Sequence, residues 1–292
     1  MVLVKEEALE AAASLIAAGR WTKLMSRPGA IARSKFAEWK ARRGETTVEL
    51  VGKTFWGADF HAAIPELVST TIYRYGIFEE ELTRAFVLLL RPGMTFFDVG
   101  SHFGYFSLLA SALVGETGRV HAFDPTPSTY QMLLKNTAGI ANITTNNVAA
   151  SSKEEDLTFN DFGLAHSAFN SLGAAKMNVG GLRANVIKVK AVTIDGYCRE
   201  LGVWPDVMKV DAEGAELDIL KGMPELLERR KTVITLEMGD VGETVGSGQS
   251  RRVHDYIVER GYRALEMAGT KMVPHVPVES YPYTNIIFVP RE

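Results

Sequence analysis

Asp98 and Asp124 each end a short apolar run, and the residues between them are the best suited in the chain to holding a ligand. The first run, Met94-Thr-Phe-Phe-Asp98, continues as Val99-Gly100-Ser101-His102-Phe103-Gly104-Tyr105 and then as an apolar helical stretch to about Leu113. The second, Arg119-Val-His-Ala-Phe-Asp124, is followed by Pro125. Strand, glycine turn, helix and strand make a β-α-β unit, which opens a crevice at the carboxyl ends of its strands. Gly100 and Gly104 have no Cβ, so the backbone can turn sharply and approach a ligand closely. The helix beginning there presents free N–H groups and a positive dipole end. Asp124 is placed to accept both hydroxyls of a ribose. The pyrophosphate fingerprint G-x-G-x-x-G is missing; the spacing here is D-x-G-x-x-x-G. That pattern fits S-adenosylmethionine, which carries a carboxylate and an ammonium but no phosphate. A dinucleotide, or an ordinary strand-turn-helix capped by an acid, is the alternative.

A second constellation is acidic. Asp206-Val-Met-Lys-Val-Asp211-Ala-Glu213-Gly214-Ala-Glu216-Leu-Asp218 reads as a strand, an acidic turn and a helix that Gly222 closes. Thr232 to Glu237 reads as the next strand, with Glu237 at its tip. Asp211, Glu213 and Glu237 therefore converge beside the crevice, where mutual repulsion raises the pKa of one and suits it to general-base work. Glu237 could instead bind a backbone group or a cofactor ammonium. Glu216 and Asp218 read as first-turn acids that complement the helix dipole. Oxygen ligands of this kind can also hold a divalent ion, but these are not on a matched ligand loop, and no metal is expected. Ala149, near the third strand tip, is placed to flank an adenine.

These groups need a scaffold, and the chain is long enough to supply one. Its 292 residues, 46% of them hydrophobic, suit a soluble globular protein with a sizeable core. A net charge of -3 gives no sign of a nucleic-acid partner. The single cysteine, Cys198, excludes an internal disulfide framework and reads as packing on the apolar side of a helix. No run approaches the ~20 apolar residues that span a bilayer. The N-terminal residues lack a basic-then-apolar signal pattern, so a cytoplasmic location is expected.

Residues 1–70 read as an extension of helix and β-hairpin, and residues 71–292 as the main domain. Val4, Ala8, Leu9, Ala12, Leu15 and Ile16 form a helical stripe that could dock on the core, on a membrane surface or on a second copy of the chain as a homo-oligomer. Arg27-Pro28-Gly29 breaks it, and Ile31 to Trp39 resumes. A hairpin follows, with its turn at Gly52-Lys53. Ile143 to Ala150 reads as a third strand. From Asp161 to Arg183 the pattern dissolves into small and polar residues, as in a functional or surface loop. Thr193 reads as a helix cap, with Asp195 adding charge to the same helix end. Gly239 to Gly248 reads as a loop. The segments Gly261 to Met267 and Thr284 to Val289 pair as an antiparallel hairpin through a Pro-rich loop. Alternation elsewhere makes the fold α/β and Rossmann-like, with a mostly parallel seven-stranded sheet.

Taken together, these motifs resemble the FkbM family of S-adenosylmethionine-dependent methyltransferases. The matching pieces are Phe97-Asp98-Val-Gly100-Ser-His-Phe-Gly104, Val120 to Pro125, Val192-Thr193-Ile194-Asp195 and Met208 to Gly222, of which the D-x-E-G-x-E-x-x-x-L-K-G block is the most specific. Tyr75-Gly76-Ile-Phe-Glu79 and Thr284 to Pro290 are also similar to family features. The likeness spans about Ile72 to Pro290. Two positions depart from the pattern: Asp124 stands where the family usually has Glu, and Ser101-His102 where it has a small residue and Asn. The resemblance implies a class I methyltransferase fold and methyl transfer to oxygen, often a hydroxyl of a sugar, glycolipid or polyketide. It implies that Glu79, Asp98, Gly100, Ser101, His102, Gly104, Asp124, Pro125, Ala149 and Asp211 surround the cofactor. Asp211, Glu213 and Glu237 would face the acceptor. An NAD(P)-dependent oxidoreductase and a non-catalytic cofactor-binding scaffold are the competing readings of the same fold.

Overall fold

The computed structural model describes residues 27–44, 46–172, 183–212, 214–240 and 248–291. Helix α1 (Pro28–Gly44) precedes a hairpin, β1 (Val48–Lys53) and β2 (Asp59–Ile64), and then α2 (Leu67–Tyr75) and α3 (Glu80–Leu89). The central unit is β3 (Thr95–Val99), α4 (Tyr105–Val114) and β4 (Arg119–Phe123), continued by α5 (Pro127–Thr137) and β5 (Ile143–Asn146). Four strands, β6 (Ala149–Ala150), β7 (Glu155–Asp161), β8 (Ser171–Leu172) and β9 (Asn185–Val192), form a separate small sheet, with a 3-10 turn at Leu164–Phe169. The chain then runs α6 (Ile194–Leu201), β10 (Val207–Val210), α7 (Glu216–Lys221), α8 (Pro224–Arg229), β11 (Val233–Met238), α9 (Gln249–Val258), β12 (Tyr262–Ala268), β13 (Lys271–Pro274) and β14 (Thr284–Pro290). The expected stripe from Val4 to Ile16 lies outside the described residues.

The main sheet has the order β13-β12-β14-β11-β10-β3-β4-β5. Strands β5, β4, β3, β10 and β11 are parallel, and β14 enters antiparallel between β11 and β12. This is a Rossmann-like sheet of seven strands with β13 added at one edge. The extra strand turns back on β12 through Gly269, which sits at φ 61. Parallel strands covered on both faces are predominantly apolar, and successive side chains point to opposite faces. Phe96 packs with Phe60, Phe86 and Phe103 on one face, while Phe97 packs with Met208, Ile219 and Leu236 on the other. Burial of one such Phe is worth roughly 2–3 kcal/mol. The hairpin strand β2 thus shares a core with the central unit. Among the described residues, no helix is long and apolar enough to cross a membrane.

Two local expectations are corrected, and a third is extended. The hairpin turn falls at Thr54–Ala58 rather than Gly52-Lys53, closed by the Thr54 N–H on the Ala58 carbonyl at 2.9 Å. Gly52 is inside β1, where a Cβ would come within 2.9 Å of the Tyr73 ring, so close packing explains that glycine. The third strand is broken: Asn147 donates to the Asp124 and Pro125 carbonyls at 2.9 and 3.1 Å, and beyond it the chain joins the small sheet. Thr193 caps α6 by accepting from the Gly196 N–H at 3.1 Å, and Asp195 stands in the first turn of α6 as expected; its carboxylate also caps α8, accepting from the Glu225 and Leu226 N–H groups at 2.7 and 3.0 Å. Cys198 is buried, and burial followed by Asp195 pushes its thiol up to about 12.

Candidate active site

A cavity of about 370 Å³ opens over the carboxyl ends of β3, β4, β10 and β11, beneath the 3-10 turn. Glu79, Gly100, Ser101, His102, Asp124, Pro125, Ala149, Asp211 and Glu237 line it. Asp98 and Gly104, expected to contact a ligand, are not in its wall. Glu213 lies outside the described residues.

The glycines have an internal reason. Gly100 has φ +77, and a Cβ there would meet the Asp211 carbonyl oxygen at 1.8 Å. Gly104 has φ +85, and its Cβ would meet Leu133 of α5 at 2.6 Å. Crossing strands and helices fill the space a side chain would need, so the turn can form only with glycine. The turn holds His102 at φ 51. Its ring stacks on Phe103 at 4.2 Å, and its Nε2 is 2.8 Å from the Ser167 hydroxyl of the 3-10 turn. Nδ1 of His102, Oγ of Ser101 and Nδ2 of Asn170 are buried without hydrogen-bond partners, and all three residues face the cavity. Burial lowers the His102 pKa. Buried polar atoms without partners cost stability, so three of them around one cavity mark a site built for a polar ligand.

Asp124 at the tip of β4 is surrounded by donors. Its carboxylate accepts from the His102 and Thr126 N–H groups, each at 3.0 Å, and from the Thr129 hydroxyl. Burial still pushes its pKa up to about 7. Oδ1 takes both the Thr126 and Thr129 bonds, whereas Oδ2 takes only the His102 N–H and keeps a lone pair that a ligand hydroxyl could use.

The other end of the cavity is organised by a residue the sequence reading left without a role. Lys209 lies in the middle of β10, only 3% exposed. Its Nζ is 2.9 Å from the Asp211 carboxylate, 3.1 Å from the Gly100 carbonyl and 3.7 Å from Asp98. Burial alone would lower the lysine pKa, but Asp211, Asp98 and Glu79 outweigh it and hold the ammonium charged. In return, Lys209 overcomes burial to keep Asp211 below the usual aspartate range. Glu237 lies within hydrogen-bonding reach of Asp211 and adds to that lowering. Asp98, completely buried, accepts from the Ser107 hydroxyl at 2.6 Å and is pushed up by desolvation. It anchors the cluster from below. The cue was present in the sequence: Lys209 is the one charge in the run Val207 to Val210, and in the sheet its register partner is Asp98. Ser167 and Asn170 gave no comparable cue.

Glu216 is the expected first-turn acid of α7, and it also reaches back to accept from the Ala212 and Gly214 N–H groups at 3.2 and 3.0 Å, fixing the acidic turn. Asp218 is exposed and pairs with Lys221.

The strand order and the crevice define a class I methyltransferase fold. A family model described as "Methyltransferase FkbM domain" matches residues 98–264, more than half of the chain, and the protein belongs to that family. Among curated proteins, the hexuronic acid methyltransferase AglP of Haloferax volcanii is 27% identical over 158 residues, 53% of this chain and 61% of that protein. The chain thus matches less than two thirds of that relative's length. Among solved structures, the methyltransferase FkbM of Methylobacillus flagellatus KT aligns with a TM-score of 0.41 at 14% identity, covering 75% of this chain and 52% of that one. Aeropyrum pernix fibrillarin, in complex with natively bound S-adenosyl-L-methionine, aligns with a TM-score of 0.39 at 14% identity, covering 83% of this chain and 99% of that one.

Proposed function

We propose that the protein is an O-methyltransferase that uses S-adenosylmethionine to methylate a hydroxyl of a small molecule, of the sugar, glycolipid or polyketide kind. The observation that carries this reading is one cavity joining Asp124, with the spare acceptor capacity of its Oδ2, to the acidic cluster of Asp211 and Glu237. The residues present suit the cofactor. Asp124 would accept the ribose hydroxyls, Pro125 and Ala149 would flank the adenine, and the unpartnered Ser101 Oγ and His102 Nδ1 would meet the carboxylate. Asp211 would attract the ammonium. When bound, the cofactor supplies a methyl group activated on a sulfonium. Asp211, Glu213 and Glu237 would then face the acceptor, orienting its oxygen in line with that methyl; such positioning supplies much of the acceleration in a displacement of this kind. The sugar-modifying relative from Haloferax volcanii supports a glycan or uronic-acid acceptor.

Incubation with methyl-tritiated S-adenosylmethionine and a panel of uronic acids, neutral sugars and prenyl-linked sugars tests the reading. Label should appear in at least one hydroxyl-bearing product. Oxidation of NADH by the same preparation, with no labelled product, would favour the oxidoreductase instead.

A further inference from the structure

The acidic end of the cavity holds several carboxylates, and the geometry separates their roles. Asp211 is tied to Lys209 and Glu237, which leaves it ionised and poorly disposed to take up another proton. Asp98 is outside the cavity wall. Glu79 differs from both. It stands at the N-terminal end of α3, where an acid normally caps the helix, yet its side chain makes no capping bond. Its backbone is left-handed, with φ 39 and ψ 72, a strained conformation for a residue with a side chain. That conformation turns the carboxylate into the cavity, where the Asn285 amide of β14 donates to one oxygen at 3.2 Å.

Resting on the methyl-transfer reading, we propose that Glu79 is the general base that takes the proton of the acceptor hydroxyl. The groups facing it are Asp211 and Lys209 from β10, Asp98 from β3, Asn285 from β14 and Tyr105 from α4, with Glu80 next to it on its own helix. Burial, then the charge of Asp211, raises its carboxyl to about 7, against the opposing pull of Lys209 and Asn285. A carboxylate matched to neutral pH is suited to proton removal. In the step, the hydroxyl proton passes to Glu79, and an oxygen lone pair forms the new C–O bond. The C–S bond breaks with its electron pair kept by sulfur, leaving a neutral thioether. Glu79 then returns the proton to solvent.

The test needs no acceptor. S-adenosylhomocysteine is titrated calorimetrically into the wild type and into Glu79→Gln, and the side-chain carboxyl carbons of ¹³C-glutamate-labelled protein are followed by NMR against pH in the same complex. This label is blind to Asp124. Glu79→Gln should bind within about twofold of wild type. A glutamate titrating near pH 7 in wild type should be missing from Glu79→Gln and should move upward in Asn285→Ala, which loses the amide that stabilises the charged form. Binding weakened more than tenfold, or a titration that drops to the ordinary glutamate range once the ligand is bound, would make Glu79 a ligand for the cofactor ammonium and overturn the assignment. A titration near pH 7 that persists in Glu79→Gln would assign it to another residue. Wild type that fails to bind S-adenosylhomocysteine would remove the cofactor reading itself, an outcome distinct from either.

Discussion

The two ends of the cavity hold an aspartate at a strand tip in opposite ways. Asp124 is held by neutral donors: two backbone N–H groups and a threonine hydroxyl. Without a compensating charge, burial dominates and its carboxyl drifts up to about 7. Asp211 is partly exposed and lies against Lys209, and it stays ionised. A cation in a low-dielectric site outweighs desolvation where several neutral hydrogen bonds do not. The nucleoside end is therefore soft in charge and rich in donors, whereas the acidic end has its charges fixed by one lysine. Glu79 lies between these regimes, within the field of Lys209 but without direct contact to it, and its carboxyl rises to about 7.

Lys209→Met would break the contrast most severely. It leaves Asp98 and Asp211 buried without their cation, and a chemical melt should show a loss of about 3–5 kcal/mol. Asp98→Asn combined with Lys209→Met should recover part of that loss, because one buried charge disappears. Gly100→Ala forces a Cβ against the Asp211 carbonyl at positive φ, and the same melt should show about 2–4 kcal/mol lost. Asp124→Ala strands the His102 and Thr126 N–H groups and should cost about 2–3 kcal/mol. The same variant should weaken S-adenosylhomocysteine binding at least tenfold by calorimetry.

The pH dependence sharpens the comparison. Asp124 and Glu79 have folded pKa values raised to about 7, so the stability they contribute is full at low pH and is lost as pH rises toward 7. Asp211 is lowered, so its contribution is full above the ordinary aspartate range and is lost only as pH falls below it. The melting temperature should therefore decline from about pH 4 to about pH 7, and Asp124→Asn should flatten that decline. The smallest effect expected is for Ser167→Ala, which removes the partner of His102 Nε2 and should cost about 1 kcal/mol or less in the melt.

Much of this arrangement was legible in the residues. The β-α-β unit declared itself because apolar runs, glycines and terminal acids follow a local grammar of strand, turn and helix. Parallel strands buried on both faces were equally plain, since they read as near-continuous apolar runs. What escaped was set by contacts between distant segments. The glycines looked like room for a ligand, but it is the Asp211 carbonyl and Leu133 that exclude a side chain. Asp195 and Glu216 are acids of their own helix starts as expected, but their further bonds, one capping α8 and the other folding back on the turn before it, come from the tertiary fold. Lys209 was visible as a charge in an apolar strand, but its meaning depends on the register that sets it beside Asp98. Ser167 and Asn170 reach the cavity only because the small sheet carries the 3-10 turn across it, a placement no local pattern encodes.

Titration of the purified protein with S-adenosylhomocysteine and, separately, with NAD tests the central claim most directly. The cavity described here should bind S-adenosylhomocysteine with micromolar affinity, about -8 kcal/mol, and NAD not at all. Binding of NAD alone, or of neither, would contradict it.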